Sequence, residues 1–200
     1  MRRYRSRSAL VIASALIAFF TTSAIAHVIA VGSQQAVPSI GLAILAWCVA
    51  IAGYIRPRVL VGDAHVEIHN VVTVARIGFD RLAYVDTRWA LELMGDDGRK
   101  VTAFAAPSPG VRTVRATSAA DLRGLPADTY VGGAARVGDR RGTASGEAAF
   151  LVRTAWASWR DAHPDHMGEK QGRAIERRVN AVGVGLLAVG VAAAILGFVL

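Results

Sequence analysis

The stretch WALELMGDDGRKVTAF, residues 89 to 104, decides how the centre of this chain folds. Trp89, Leu91 and Leu93 alternate with other residues on one side of Gly95, Asp96, Asp97 and Gly98, and Val101 and Ala103 alternate on the other. A period of two is that of a half-buried strand, and Asp and Gly tolerate left-handed turn conformations, so the stretch predicts a β-hairpin. Upstream the same period recurs. Val59 to Val61 ends at Gly62 and Asp63; His65, Glu67 and His69 alternate with Val66 and Ile68; Val72 to Ile77 and Leu82 to Asp86 follow, with Lys100 to Phe104 completing the series. The pattern predicts an antiparallel meander of about six short strands. Beyond it, the Pro- and Gly-rich run from residue 107 to 146 loses all periodicity and predicts a flexible loop, with one short strand at Gly110 to Arg115. From Ser145, an apolar stripe of Ala149, Leu151, Val152, Ala155, Trp156 and Trp159 predicts a helix capping one end of the sheet. His163 and Pro164 stop it, and Glu169 to Arg178 reads as a second, polar helix.

On both sides of this segment the character changes. The chain is 53% hydrophobic with a mean hydropathy of +0.37, yet its formal charge is +8. The two properties occupy different places, because residues 9 to 55 and 179 to 200 contain no Asp, Glu, Lys or Arg. Ala9 to Val31 and Ala36 to Ile55 are each long enough to cross the hydrocarbon core at ~1.5 Å per residue and are joined by a polar, uncharged turn at Gly32 to Gln35. They predict a transmembrane hairpin, and residues 179 to 200 predict a third span. Every basic flank falls on one side: Arg2, Arg3, Arg5 and Arg7 before the first span, Arg56 and Arg58 after the second, and Arg173, Arg177 and Arg178 before the third. Short basic segments stay cytoplasmic, which predicts a multi-pass protein of the cell membrane with its N-terminus and centre inside and its C-terminus outside. Ala24 to Ala26 resembles a signal-peptide cleavage site, but the apolar run continues past it and a second span follows. The expected organisation is a basic cytoplasmic tail (1–8), a hairpin (9–31 and 36–55), a cytoplasmic domain (56–161) with its loop at about 107–146, a polar linker or helix (162–178), and a third span (179–200).

Cys48 lies in an apolar run, so a disulfide framework is excluded. Much of the positive charge sits beside spans rather than on one basic face, which argues against nucleic acid. His65, Glu67 and His69 carry metal-ligand chemistry, but alternate strand residues lie ~6.7 Å apart and a solvated strand face explains them. His163, Asp165 and His166 read as a polar loop, and Asp96 and Asp97 as a turn. With no phosphate loop or nucleophile motif, the expectation is a protein without enzymatic activity or cofactor. His27, the one ionisable group within a span, reads as a neutral imidazole near the outer interface. Gly183, Gly190 and Gly197 recur every seven residues and predict a helix face that packs against the hairpin. The junction arginines serve topology and could also attract anionic lipid, at about 1 kcal/mol each.

The residues Ile55, Arg56, Pro57, Arg58 and Val59, then His69 and Asn70, Ile77 to Asp80, Arg88 to Leu93 with Trp89, Leu91 and Leu93, and Asp97, Gly98 and Arg99 through Ala106 and Pro107, resemble the bacterial PH-like domain family of low molecular weight protein antigen 6. Its members are small membrane proteins of high-GC Gram-positive bacteria, often with a helical hairpin just before the first such strand; 21 Arg against two Lys fits that origin. The resemblance covers about residues 55 to 107 and, more loosely, 145 to 161. It implies an α+β chain: a PH-like antiparallel barrel or sandwich closed by a C-terminal helix, here with two transmembrane helices before it and one after. Phosphoinositide-binding PH domains gather cations on the loop between their first two strands. Here that turn reads as Gly62, Asp63 and Ala64, which is acidic, so no phosphoinositide site is expected. The function expected is presentation of a cytoplasmic PH-like interaction module to a protein partner at the bilayer. The alternative is an accessory subunit of an envelope or transport complex, recruited through its spans.

Overall fold

The computed structural model describes residues 1–108, 130–131, 134–135, 137–165 and 172–199. The chain forms two compact units, one of Met1–Ser6 with Arg58–Arg178 and the other of Arg7–Pro57 with Val179–Leu200.

The first unit is α+β. Its strands are β1 (Arg2–Tyr4), β2 (Arg58–Val61), β3 (His65–His69), β4 (Thr73–Gly78), β5 (Leu82–Asp86), β6 (Ala90–Gly95), β7 (Lys100–Pro107), β8 (Tyr130–Val131), β9 (Ala134–Ala135) and β10 (Ile175–Val179). They form a five-stranded sheet in the order β1-β2-β3-β4-β10, a three-stranded sheet β5-β6-β7, and the small β8-β9 pair. Among the described residues the sheets do not close into a barrel. The strand alternation read from the sequence sets their inner faces: Val59, Val66, Ile68, Ile77, Leu91 and Leu93 are buried together. The β6–β7 turn is the one its sequence dictates, with Gly98 at φ +74° and the Gly95 N–H bonded to the Arg99 carbonyl at 2.8 Å. Asn70 joins the two sheets. Its amide donates to the Thr102 carbonyl and accepts from the Phe104 N–H, each at 2.8 Å, so one side chain stands in for a strand along β7.

A helix in this unit, called α3 below, runs Ala144–Ala162. The Thr143 side chain caps it by accepting from the Gly146 N–H at 3.0 Å. Val152 and Trp156 enter the core, and the Trp156 indole donates to the Phe79 carbonyl at 3.1 Å.

Four sequence expectations change. Residues 1–8 are not a plain tail, because Arg2, Arg3 and Tyr4 pair with Val61, Leu60 and Val59. Tyr4 packs on the core, where burial and then nearby Glu147 push its pKa up to about 12. The connection between the first two strands is therefore the segment 5–57, not Gly62 to Ala64. Residues 175–179 are the strand β10, not a helix: Ile175 reaches the core, and the preceding Ala174 N–H is held by Asp97 at 3.0 Å. The loop 107–146 is ordered where it is described near its end, with a 3-10 turn at Val137–Asp139 and Asp139 buried. The strand expected at Gly110 to Arg115 lies outside the described residues, as do His166 and most of the start of the expected polar helix.

The second unit contains three helices, α1 (Arg7–Val31), α2 (Val37–Ala50, running on through a π-helical turn Ile51–Ile55) and α4 (Ala181–Val199). Each is long and apolar enough to cross a membrane. Pro38 sits in the first turn of α2, where a missing N–H costs little. The Trp47 indole donates to Thr21 across α1 and α2 at 3.1 Å. Asn180 caps α4 through its bond to the Gly183 N–H at 3.3 Å.

Candidate functional site: a basic sheet face

Residues directly opposite in an antiparallel pair share a face. Leu60 opposes Arg3 and Glu67, Arg58 opposes His69, and Glu67 opposes Arg76. Val59, Val61, Val66 and Ile68 take the core side, so these polar residues form the outer face of the five-stranded sheet. One step past the last β1 pair, Arg5 comes level with Arg58. On β10, Arg178 and Glu176 share a cleft with Glu67 and Arg76, with Val74 in its lining.

Charge on this face is unbalanced. Glu67 accepts from His69 at 3.1 Å and lies 3.8 Å from His65, so the main carboxylate of β3 is already engaged by imidazoles. The Nε atoms of Arg5 and Arg58 are buried and have no hydrogen-bond partner among the described residues. Burial first, then the Arg3 and Arg58 guanidiniums, pull the Arg5 pKa below its ordinary value. His69 is also lowered, chiefly by desolvation; its bond to Glu67 works the other way, and Arg58 and Arg178 add to the lowering.

A pH dependence follows. Unfolded His titrates near 6.5 and His69 in the fold lies below that, so acidification protonates the unfolded chain first. The contribution of His69 to stability is complete above about pH 6.5 and shrinks as pH falls toward the folded value. His69→Gln should flatten part of the fall in urea midpoint between about pH 7 and about pH 5.5. An unchanged slope would show that His69 does not report this field.

The other anticipated residues distribute differently. Arg2 opposes Val61 and so leaves the outer face. Arg177 turns to the second sheet and donates to the Lys100 carbonyl. Arg173 is exposed just before β10, Arg7 opens α1, and Arg56 belongs to the second unit with its Nε buried and unbonded among the described residues. Of the family-like residues, Leu91, Leu93 and Ala106 are core, Pro57 is buried, Pro107 pairs with Ala90, and Arg99 lies 3.6 Å from Asp97. Trp89 is 84% exposed. Asp96 and Asp97 are occupied as turn groups, Asp96 by Arg81 at 2.6 Å and Asp97 by the Ala174 and Arg99 N–H groups.

Gly183, Gly190 and Gly197 are buried. A Cβ at Gly190 would lie 2.9 Å from the Cys48 Cβ, and one at Gly197 would lie 2.9 Å from the Val37 carbonyl, so this face is taken up against α2. His27 lies on the exposed surface of α1. Among the described residues no group of three or more His, Cys, Asp or Glu is disposed to hold a metal.

In the sequence the arginines form one set of junction charges, and their sorting by face comes only with the strands. The signal was available in the alternation of Arg3 with Arg5, which is strand-like, but three residues are too few to assert a strand. Comparison with known proteins returns no matching family model, no matching curated protein and no matching solved structure.

Proposed function

We propose that this chain is a non-enzymatic integral membrane protein of the cell membrane that presents residues 58–178, a PH-like module, on the cytoplasmic side for a protein partner. The observation that carries the reading is the pairing of β1 with β2. Tyr4 precedes the first span and Val59 follows the second, yet both lie in one sheet, which supports a hairpin that crosses and returns between them. The strand β10, in the same sheet, enters the third span directly. The arginines at all three junctions favour the cytoplasm for that shared side. Two antiparallel sheets followed by a helix on their core support the PH-like assignment, with the membrane hairpin inserted between the first two strands.

A photoreactive residue placed at Trp89, on the exposed surface of the module, should give a discrete protein adduct in cells, while one at Val189, exposed on α4, should not. Adducts from Val189 alone would transfer the partner to the spans and overturn the module reading.

A further inference from the structure

Along the chain β1 precedes α1, β2 follows the end of α2, and β10 precedes α4, so three strands of one sheet adjoin the spans in sequence. We propose that Arg5 and Arg58, with His69 beside them and Arg178 further along the same sheet face, bind the phosphate of an anionic phospholipid headgroup taken from the bilayer that the spans occupy. The site rests on the three-span reading above and assigns that module a ligand.

Three observations carry it. The first is unmet donor capacity: among the described residues the buried Nε atoms of Arg5 and Arg58 lack partners, and leaving a buried donor unpaired is unfavourable unless an acceptor arrives. A phosphate oxygen is that acceptor, since a guanidinium fork matches phosphate geometry bidentately. The second is uncompensated charge. Arg58 sits opposite His69 and Arg5 is level with Arg58, while of the carboxylates on this face Glu67 is held by the two histidines and Glu176 lies in the cleft with Arg178 and Arg76, away from Arg5. An anion converts this mutual repulsion into attraction. The third is position along the covalent chain. Arg5 lies two residues before α1, Arg58 three after the π-helical end of α2, and Arg178 three before α4. At no more than ~3.6 Å per residue, each Cα lies within about 11 Å of a span end. Each headgroup layer is itself roughly 5–8 Å thick, so long arginine side chains reach it. Val72 (47% exposed) and Phe104 (54% exposed) flank Asn70 and offer the apolar surface that the acyl boundary accepts.

The test uses the full chain in neutral detergent, incubated with phosphatidylglycerol or phosphatidylcholine, with retained lipid counted by native mass spectrometry. Wild-type protein should retain phosphatidylglycerol at least tenfold better than phosphatidylcholine. R5Q/R58Q should lose that preference, R5K/R58K should keep a part of it, and R88Q/R99Q, which removes equal charge elsewhere, should keep all of it. Thermal unfolding guards against a folding artefact: R5Q/R58Q should melt no lower than wild type in phosphatidylcholine, because the repulsion is gone. Equal retention of the two lipids, or equal loss in both glutamine variants, overturns the site. Displacement of phosphatidylglycerol by millimolar inorganic phosphate would reassign it to soluble phosphates and overturn the lipid assignment. Sidedness plays no part in detergent, so failure here is distinguishable from failure of the topology.

Discussion

Asp139→Ala should destabilise the 58–178 unit of the full-length protein by about 3–5 kcal/mol, the cost of stranding a buried charge. The Arg153 guanidinium donates to Asp139 at 2.6 Å and to the Val85 carbonyl at 2.8 Å, and Thr87 donates to the same Asp139 oxygen at 2.8 Å. Arg153, Asp139 and Thr87 are all buried. This network holds the 3-10 turn before α3 against the end of β5. Close packing leaves no room for relaxation there, since a Cβ on Gly138 would fall 2.0 Å from the Thr87 carbonyl. Removing Asp139 leaves a guanidinium in the core with its main counter-charge gone. Adding Arg153→Met to Asp139→Ala should recover most of the loss, because no buried charge then remains. Urea midpoints read from Trp156 and Trp159 fluorescence in micelles give both values. A loss below about 1 kcal/mol for the single variant would mean that water reaches the network.

The second large effect lies in the spans. Gly41→Leu should separate α2 from α4, because even a Cβ at this position would lie 2.5 Å from the Ala193 carbonyl oxygen and 3.2 Å from the Ala194 Cα. Backbone on the far side cannot move aside as a side chain can, so the helices themselves must part, at a cost of about 1–3 kcal/mol or more. Gly185→Leu is the matched control, since nothing lies within 4 Å of a Cβ there. The expected result is a lowered thermal midpoint in detergent for Gly41→Leu alone. Equal behaviour of the two variants would show that the glycine face does not carry the packing.

The parts of this molecule that were legible in the sequence are those in which a periodic pattern repeats. Val66 and Ile68 against His65, Glu67 and His69 announce a strand, Gly98 announces its turn, and uncharged runs of some 20 residues announce spans. Short elements that owe their conformation to a distant partner were not legible. Arg2–Tyr4 becomes a strand because β2 offers an edge and the core receives Tyr4. Ile175–Val179 is charged at three of its five positions and reads as a polar helix, yet pairing beside β4 and the anchoring of Ala174 by Asp97 decide otherwise. Asp139 lay in a stretch without periodicity, so its burial by Arg153, 14 residues further on, left no local trace. The candidate site shares this property. Its arginines were visible as junction charges, but Arg5 comes beside Arg58 only through the pairing of β1 with β2, and His69 joins them through register.

In the proposed topology both ends of the hairpin return to one unit on the cytoplasmic side. Labelling of intact cells with a membrane-impermeant maleimide tests it most directly, in a Cys48→Ala background with single cysteines at Ser33, in the turn between α1 and α2, or at Arg88, on the exposed β5–β6 turn. Ser33→Cys should label in intact cells, and Arg88→Cys should label only after lysis. Labelling of Arg88→Cys in intact cells, with Ser33→Cys protected, would contradict the account.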